Sequence, residues 1–393
     1  MNAFTYYCPS EIIFGREAEQ KTADCIRKHG GSKVLIVYGG GSIVRSGLLD
    51  RICANLKEAG LSYEVFGGAK ANPTLEHARE GIALAVSFGA DFILGVGGGS
   101  AIDTAKAIAL GAAAPDTDIW DFWTRKTAPV KHLPVGVVLT ISAAGSETSP
   151  SSVLTNMATG SKRGLNTDLN RPVFAIMNPE LTFTLPAYQV ACGVTDIMMH
   201  TMDRYFNPIA NELTDAIAEA LLRTVIANGT IAVKNPHDYD AMSELMWAGS
   251  LSHNGLTGLG GNGDWAVHQL GHELSGKFDT AHGASLATIW HSWANAVWSQ
   301  NPSRFARFAE NVWGIKEGDE KERALAGIQA TVAYFRSLGM PTCFSENKEI
   351  GIQEDSVLRE LAYRCTFERT RTIGTFRVLG EEEIFQIYKD ANH

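Results

Sequence analysis

Residues 92–106 read FILGVGGGSAIDTAK: a β-rich run, three glycines and a serine, then a helical pattern. Residues 33–42, KVLIVYGGGS, carry the same element upstream. In each copy the glycines stand directly between strand and helix, as Gly39, Gly40, Gly41 and Ser42 in one and Gly97, Gly98, Gly99 and Ser100 in the other. Successive glycines let a backbone approach a ligand closely, and the helix that follows presents unpaired N–H groups with partial positive charge, which suits a pyrophosphate. One such loop serves equally well as a tight turn with no ligand; two copies at strand ends favour a nucleotide. The second copy also places Asp103 and Lys106 in the first helical turns.

On both sides of these loops, short β-rich runs alternate with helical patterns. Strands are expected at 33–38, 62–66, 92–96, 134–141 and 173–177, helices at 17–29 and 74–88, and two short extended segments at 4–7 and 12–14. This alternation predicts an α/β unit with a parallel sheet. Around 178–186 the texture changes, with Pro179 and Pro186 as breakers, and long helical patterns follow at 188–206, 212–227 and 240–252. The expectation is an α/β dinucleotide-binding domain over 1–182 and an all-helical metal-binding and catalytic domain over 183–393. A formal G-x-G-x-x-G at Gly258, Gly260 and Gly263 follows a helical pattern rather than a strand, so it reads as an interhelical bend.

Composition narrows the function classes. The 393 residues are 45% hydrophobic and 20% charged, which is the profile of a folded chain rather than a disordered one. With 34 basic against 43 acidic residues and no basic run, nucleic acid and anionic membrane are poor partners. Six scattered cysteines form no C-x-x-C pair, which argues against a thiolate zinc site or a disulfide framework. The start lacks a signal-peptide pattern, and no uninterrupted apolar stretch reaches membrane-span length, so a reducing cytoplasm is expected.

Chemistry concentrates in the second half. Asp196 and His200 are spaced i, i+4 in TDIMMH, which puts both side chains on one helix face. His268 and His272 repeat that spacing in VHQLGHELSG, and His282 follows in DTAHGAS. His200, His268 and His282 with Asp196 make a set of three imidazoles and one carboxylate, which suits Zn²⁺ or Fe²⁺ and disfavours Mg²⁺ or Ca²⁺. His237, His291 and His393 read as ordinary core or surface histidines. Trp120, Phe122 and Trp123, and the region of Trp247, Leu251 and Asn254, could line an apolar pocket or equally be ordinary packing.

These motifs, taken in order and at their spacing, resemble the iron-containing, or group III, alcohol dehydrogenases, in their butanol dehydrogenase and aldehyde reductase branch. The resemblance runs from FTYYCPSEIIFG through GVGGGSAIDTAK, LTISAAGSETSP and CGVTDIMMHTMD to DWAVHQLGHELSG and FDTAHGASLA, while residues 371–393 carry no matched motif. It implies the dehydroquinate synthase-like fold of that family, with an α/β nucleotide domain and an all-α domain. It implies metal ligands at Asp196, His200, His268 and His282, and a histidine near the nicotinamide, His272, for which a proton-relay role follows. It implies a pyrophosphate loop at Gly97, Gly98, Gly99 and Ser100 beside Asp103, with further cofactor contacts at Asn72, Thr140, Ser146 and Lys162. Where NAD-preferring relatives carry an acid at the end of the first strand, this chain has Gly39, so NADP(H) is expected over NAD(H), held by Gly39, Gly40, Gly41 and Ser42. The implied reaction is hydride transfer between NADP(H) and short-chain alcohols or aldehydes, with one Fe²⁺ or Zn²⁺, in a homodimer paired through its N-terminal extended segments. Two other readings are a carbocycle-forming lyase of the same fold, which needs a basic cluster not seen here, and a non-catalytic metal-binding scaffold, which needs a damaged site.

Overall fold

The computed structural model describes residues 1–209 and 211–393. The chain divides into two compact units, Tyr7–Leu185 and Pro186–His393, the latter joined by Met1–Tyr6. The sequence expectation put the first six residues with the α/β half. They lie instead with the helical unit, where the Asn2 N–H donates to the Gly260 carbonyl at 2.9 Å.

Six parallel strands form the core of the α/β unit: β1 (Glu11–Phe14), β2 (Lys33–Tyr38), β3 (Ser62–Phe66), β4 (Phe92–Gly97), β5 (Val135–Leu139) and, after the hairpin strands β6 (Ser151–Asn156) and β7 (Ser161–Asn166), β8 (Phe174–Met177). The sheet order is β1-β8-β5-β4-β2-β3. Val34–Val37 of β2 and all of β4 and β5 are buried, which is why they read as continuous apolar runs: helices cover both faces of such a sheet. The half-exposed edge strand β3, SYEVF, is correspondingly less apolar. Helices α1 (Thr22–Lys28), α2 (Ser42–Arg45), α3 (Leu48–Glu58), α4 (Leu75–Phe88), α5 (Gly99–Ala113) and α6 (Trp120–Trp123) complete the unit. The side chain of Thr74 caps α4 by accepting the His77 N–H. The expected helix over 17–29 is shorter, a 3₁₀ turn at Ala18–Lys21 followed by α1.

Chain order reverses at β2, whose neighbours are β3 on one side and β4 on the other. Tyr38 pairs with Val96, so the glycine loops leaving β2 and β4 lie side by side at the carboxyl ends of adjacent strands. That is the topological switch point, where open parallel sheets bind their ligands.

The helical unit holds α7 (Ala187–Tyr205), α8 (Glu212–Lys234), α9 (Tyr239–His253), α10 (Ala266–Phe278), α11 (His282–Val297), α12 (Pro302–Trp313), α13 (Glu320–Ser337), α14 (Asp355–Cys365) and α15 (Glu381–Ala391). α7 is the central element, buried without interruption from Val190 to Tyr205. α8 is long and apolar enough to cross a membrane by length and composition, yet Leu222 and Val225 of its inner face are fully buried in protein. The Arg304 guanidinium ties α12 to α8 by pairing with Asp215, and it also stacks 3.9 Å from the centre of the Tyr205 ring. The G-x-G-x-x-G segment follows α9 directly and carries a 3₁₀ turn at Leu256–Gly258, so it is an interhelical bend.

Candidate functional site

Asp196 and His200 face the same way on α7, and α10 and α11 bring His268 and His282 to the same place. Asp196 Oδ1 lies 3.1 Å from His200 Nδ1 and 3.7 Å from Nε2 of both His268 and His282. Donor atoms of Asp196, His268 and His282 all fall within 4.8 Å of one another. Tetrahedral zinc with bonds of about 2.0–2.1 Å needs donors about 3.4 Å apart, so the spacing is that of a metal site. His200 stands outside this set of three: its Nδ1 is turned onto the Asp196 carbonyl at 3.0 Å, with its ring between those of His253 and His268.

Two buried atoms carry the argument that a cation belongs here. Asp196 Oδ1 and His268 Nε2 are shielded from water and neither has a hydrogen-bond partner. Leaving such groups unsatisfied costs about 1–3 kcal/mol each, more when charged, so a cation is the chemistry this donor set fits. Burial works against the Asp196 charge, but the charges of His200 and His282 outweigh it and hold the carboxyl well below its ordinary range. Burial likewise opposes a charged His268, yet the Asp196 and Asp203 carboxylates win and push it up to about 9.

Asp203 escaped the sequence reading. Its Oδ2 accepts from His268 Nδ1 at 2.6 Å, which keeps a proton on Nδ1 and leaves Nε2, facing Asp196, as the nitrogen whose lone pair a cation takes when it displaces the second proton. The signal was there as a stripe: Asp196, His200 and Asp203 are i, i+4 and i+7 on α7. Asp203→Asn is expected to weaken metal affinity by about 10–100-fold, read by competition with a chromogenic chelator; unchanged affinity would show that Asp203 does not orient the ring.

Behind it, Asp264 accepts N–H bonds from Thr375 and Phe376, both at 2.7 Å. Burial and the Asp203 charge push its carboxyl up to about 6 from an ordinary 3.8. Between these values the folded chain keeps a proton that the unfolded chain has released, so this group's contribution to stability falls as pH rises through that window. The melting-temperature advantage of wild type over Asp264→Asn should therefore shrink between pH 5 and pH 7. A gap that widens would contradict the assignment.

His272 lies one turn beyond His268 on α10, half-buried, with its ring 5.4 Å from that of His282. His253 is buried against His200, and its Nδ1 faces Arg204 Nη2 at 3.0 Å. Burial and the neighbouring charges of His200 and Arg204 hold it neutral, well below its ordinary range.

In the α/β unit the expected nucleotide residues fall into three groups. Around the β4 loop, Gly97 adopts φ +151°, a Cβ on Gly98 would meet Ile141 at 2.2 Å, and the Thr140 N–H donates to the Gly97 carbonyl at 3.1 Å. Glycine suits 97 because of its φ and because a Cβ there would meet that of Ala101 at 2.8 Å, and it suits 98 because the Ile141 side chain packs onto it. Ser100 Oγ donates to the Ala71 carbonyl at 2.6 Å, and Lys162 Nζ on the β6–β7 hairpin reaches Asn72 Oδ1 at 3.0 Å. Asp103 and Ser146 face inward: Ser146 Oγ donates to Asp103 Oδ1 at 2.6 Å, and the Val153 N–H donates to its Oδ2 at 2.9 Å. Asp103 thus holds β6 through Oδ2 and the segment leading into it through Oδ1. Lys106, which the sequence places beside Asp103 without a role, is fully buried with three acceptors. The β2 loop, with Gly39, Gly40 and Gly41, lines an open cavity of about 560 Å³. Phe122 and Trp123 are core residues packed with Leu154 and Leu165, not pocket walls.

Comparison with known proteins agrees with this division of labour. A family model described as "Iron-containing alcohol dehydrogenase" matches residues 9–179, and one described as "Fe-containing alcohol dehydrogenase family, C-terminal" matches residues 190–392, including the stretch that carried no recognisable motif. The chain belongs to the iron-containing alcohol dehydrogenase family and is an oxidoreductase acting on alcohols. Within that family it stands in the butanol dehydrogenase and aldehyde reductase branch. It is 40% identical over 394 residues to the NADH-dependent butanol dehydrogenase A of Clostridium acetobutylicum, covering 100% of both chains. It is 36% identical over 364 residues to the NADPH-dependent aldehyde reductase YqhD of Escherichia coli, covering 92% of this chain and 93% of that one. The crystal structure of a Thermotoga maritima NADH-dependent butanol dehydrogenase A superposes with a TM-score of 0.96 at 34% identity, covering 100% of this chain and 99% of that one.

Proposed function

We propose that this chain reduces short-chain aldehydes, and oxidises the matching primary alcohols, with NADP(H) and one divalent metal. The observation that carries the reading is the unsatisfied buried pair of Asp196 Oδ1 and His268 Nε2, 3.7 Å apart, with His282 beside them. Fe²⁺ or Zn²⁺ held by Asp196, His268 and His282, with His200 as proposed fourth donor, supplies Lewis acidity toward an alcohol or aldehyde oxygen, while the nicotinamide supplies the hydride.

The chain's own residues prepare that chemistry. Asp203 keeps the proton of His268 on Nδ1, so Nε2 is the atom offered to the cation. His272, half-buried and adjacent to His282, is the candidate for moving a proton between the reacting oxygen and solvent. Gly97 ends β4, and Gly98 and Gly99 at the start of the fifteen-residue helix α5 offer N–H groups and a positive helix end to a pyrophosphate. Preference for NADP(H) is supported by the β2 loop, which has glycine where an acid would repel a 2′-phosphate: a Cβ on Gly39 would already crowd the Ala69 carbonyl at 3.3 Å.

A homodimer is supported by Phe4, Tyr6 and Tyr7, exposed ahead of the first strand, and by β1 at the sheet edge. Cytoplasmic residence is supported by six free cysteines. The deciding experiment strips the protein with chelator, reloads it with Fe²⁺ or Zn²⁺, and follows NADPH and NADH oxidation with butanal. Metal-dependent turnover with NADPH favoured is the expected result. Turnover indifferent to metal would overturn the metal's role, and a clear NADH preference would overturn the cofactor assignment.

A further inference from the structure

We propose that Arg45 is the residue that reads the adenosine 2′-phosphate, an inference that rests on the NADP(H) reading and gives it a specific charge. Arg45 closes the short helix α2, and its guanidinium folds back over the β2 loop: a Cβ built on Gly41 would stand 2.8 Å from Arg45 Nη1. Any side chain at 41 would displace it, so the third glycine of this loop makes room for an arginine as well as for a ligand. Arg45 lines the 560 Å³ cavity together with Tyr38, the three loop glycines, Val44 and Gly67–Gly68, and no acidic residue is among them.

The guanidinium is uncommitted. Arg16, Arg51, Arg79 and Arg171 in the same unit each meet a carboxylate, on Glu180, Glu19, Asp118 and Asp168. Arg45 meets none within 4.0 Å among the described residues. Exposed arginines need no partner, but this one stands at the carboxyl end of the strand beside the pyrophosphate loop. Adjacent parallel strands are about 4.8 Å apart, which puts the β2 loop where the adenosine half of a dinucleotide lies when its pyrophosphate is at β4. A guanidinium binds a phosphate dianion through paired N–H donors and does nothing for a bare ribose hydroxyl pair of comparable strength. Recognition by this residue therefore separates NADPH from NADH.

The test is a binding titration of NADPH and of NADH, by reduced-nicotinamide fluorescence, on wild type, Arg45→Gln and Arg45→Lys. Arg45 is exposed, so neither change threatens folding. Arg45→Gln should lower the NADPH-to-NADH affinity ratio by about ten-fold or more and flatten the salt dependence of NADPH binding, since a lost charge contact is a lost screened contact. Arg45→Lys should restore the salt dependence and part of the ratio. A further arm, Gly40→Asp, adds a carboxylate where a Cβ meets nothing within 4 Å and should push the ratio the same way as Arg45→Gln. If wild type prefers NADPH and Arg45→Gln keeps both ratio and salt slope, the inference fails while the cofactor reading stands. If wild type itself binds NADH more tightly, the cofactor reading fails and takes the inference with it.

Discussion

Asp196→Asn is expected to empty the metal site, with turnover falling on the order of 10³-fold. The substitution keeps the volume and removes the charge. Asp196 is the only carboxylate in the set of three, its Oδ1 lies 3.7 Å from both imidazole Nε2 atoms, and it is buried at 4% exposure. A neutral amide at that centre leaves the histidines to balance a divalent charge alone in a low-dielectric interior, where the missing attraction is large. The effect should exceed that of Asp203→Asn because Asp203 acts only through a ring, whereas Asp196 offers its own oxygen. Thermal stability gives a readout that does not depend on substrate. A metal that binds only the folded chain raises stability by about 4 kcal/mol at a thousand times its dissociation constant. Wild type should therefore melt higher when Fe²⁺ or Zn²⁺ is added, and Asp196→Asn should not. Stoichiometric metal retained by Asp196→Asn would remove Asp196 from the ligand set.

What the sequence made legible follows from which interactions are local. The strands β2, β4, β5 and β8 could be read because burial on both faces of a parallel sheet leaves continuous apolar runs, and the glycine loops because they interrupt those runs abruptly. The histidine pair of α10 and the Asp–His pair of α7 could be read because helical spacing is local. Pairings of distant residues could not. β1 joins β8 in a register that matches Glu11 with Phe174, and nothing in either tetrapeptide names the other. The β6–β7 hairpin was missed because SSVLTN and SKRGLN are too polar to show a strand period. Asp203 looks, in one dimension, like any acid on a helix, and only the fold of α10 against α7 reveals the ring it holds. The turn of His200 onto its own helix carbonyl is a torsion that residue spacing does not encode. Asp103 was placed in the right neighbourhood, but the direction its carboxylate faces depends on a hairpin about fifty residues downstream.

Lys106→Met should destabilise the α/β unit by about 3 kcal/mol and loosen its grip on the dinucleotide. Lys106 Nζ donates to Ser146 Oγ at 2.8 Å, to the Ser149 carbonyl at 3.2 Å and to the Ser151 carbonyl at 2.7 Å. Burial depresses its pKa to about 8, even though Asp103 and Glu147 favour the charge. Two effects oppose each other on substitution. Methionine keeps most of the volume and relieves the cost of burying an ammonium, which alone can be neutral or stabilising. Against that, the hydroxyl and two carbonyls lose a charged donor in a place water does not reach, at about 1–3 kcal/mol each, and Asp103 loses its nearest compensating charge. Three lost partners outweigh one relieved desolvation, so the sign is destabilising. For a unit of this size about 3 kcal/mol corresponds to a fall of about 6–12 °C in its melting transition. The functional consequence follows from where the anchored segment leads. Residues 140–145 sit on the β4 loop, with Ile141 over Gly98 and Ala144 over Gly99, and Lys106 pins the chain immediately after them. Released at 146–151, that segment no longer fixes the glycine loop, and the Michaelis constant for the dinucleotide should rise several-fold more than that for the aldehyde. A variant as stable as wild type, with both constants unchanged, would mean that the lysine fills space and nothing more.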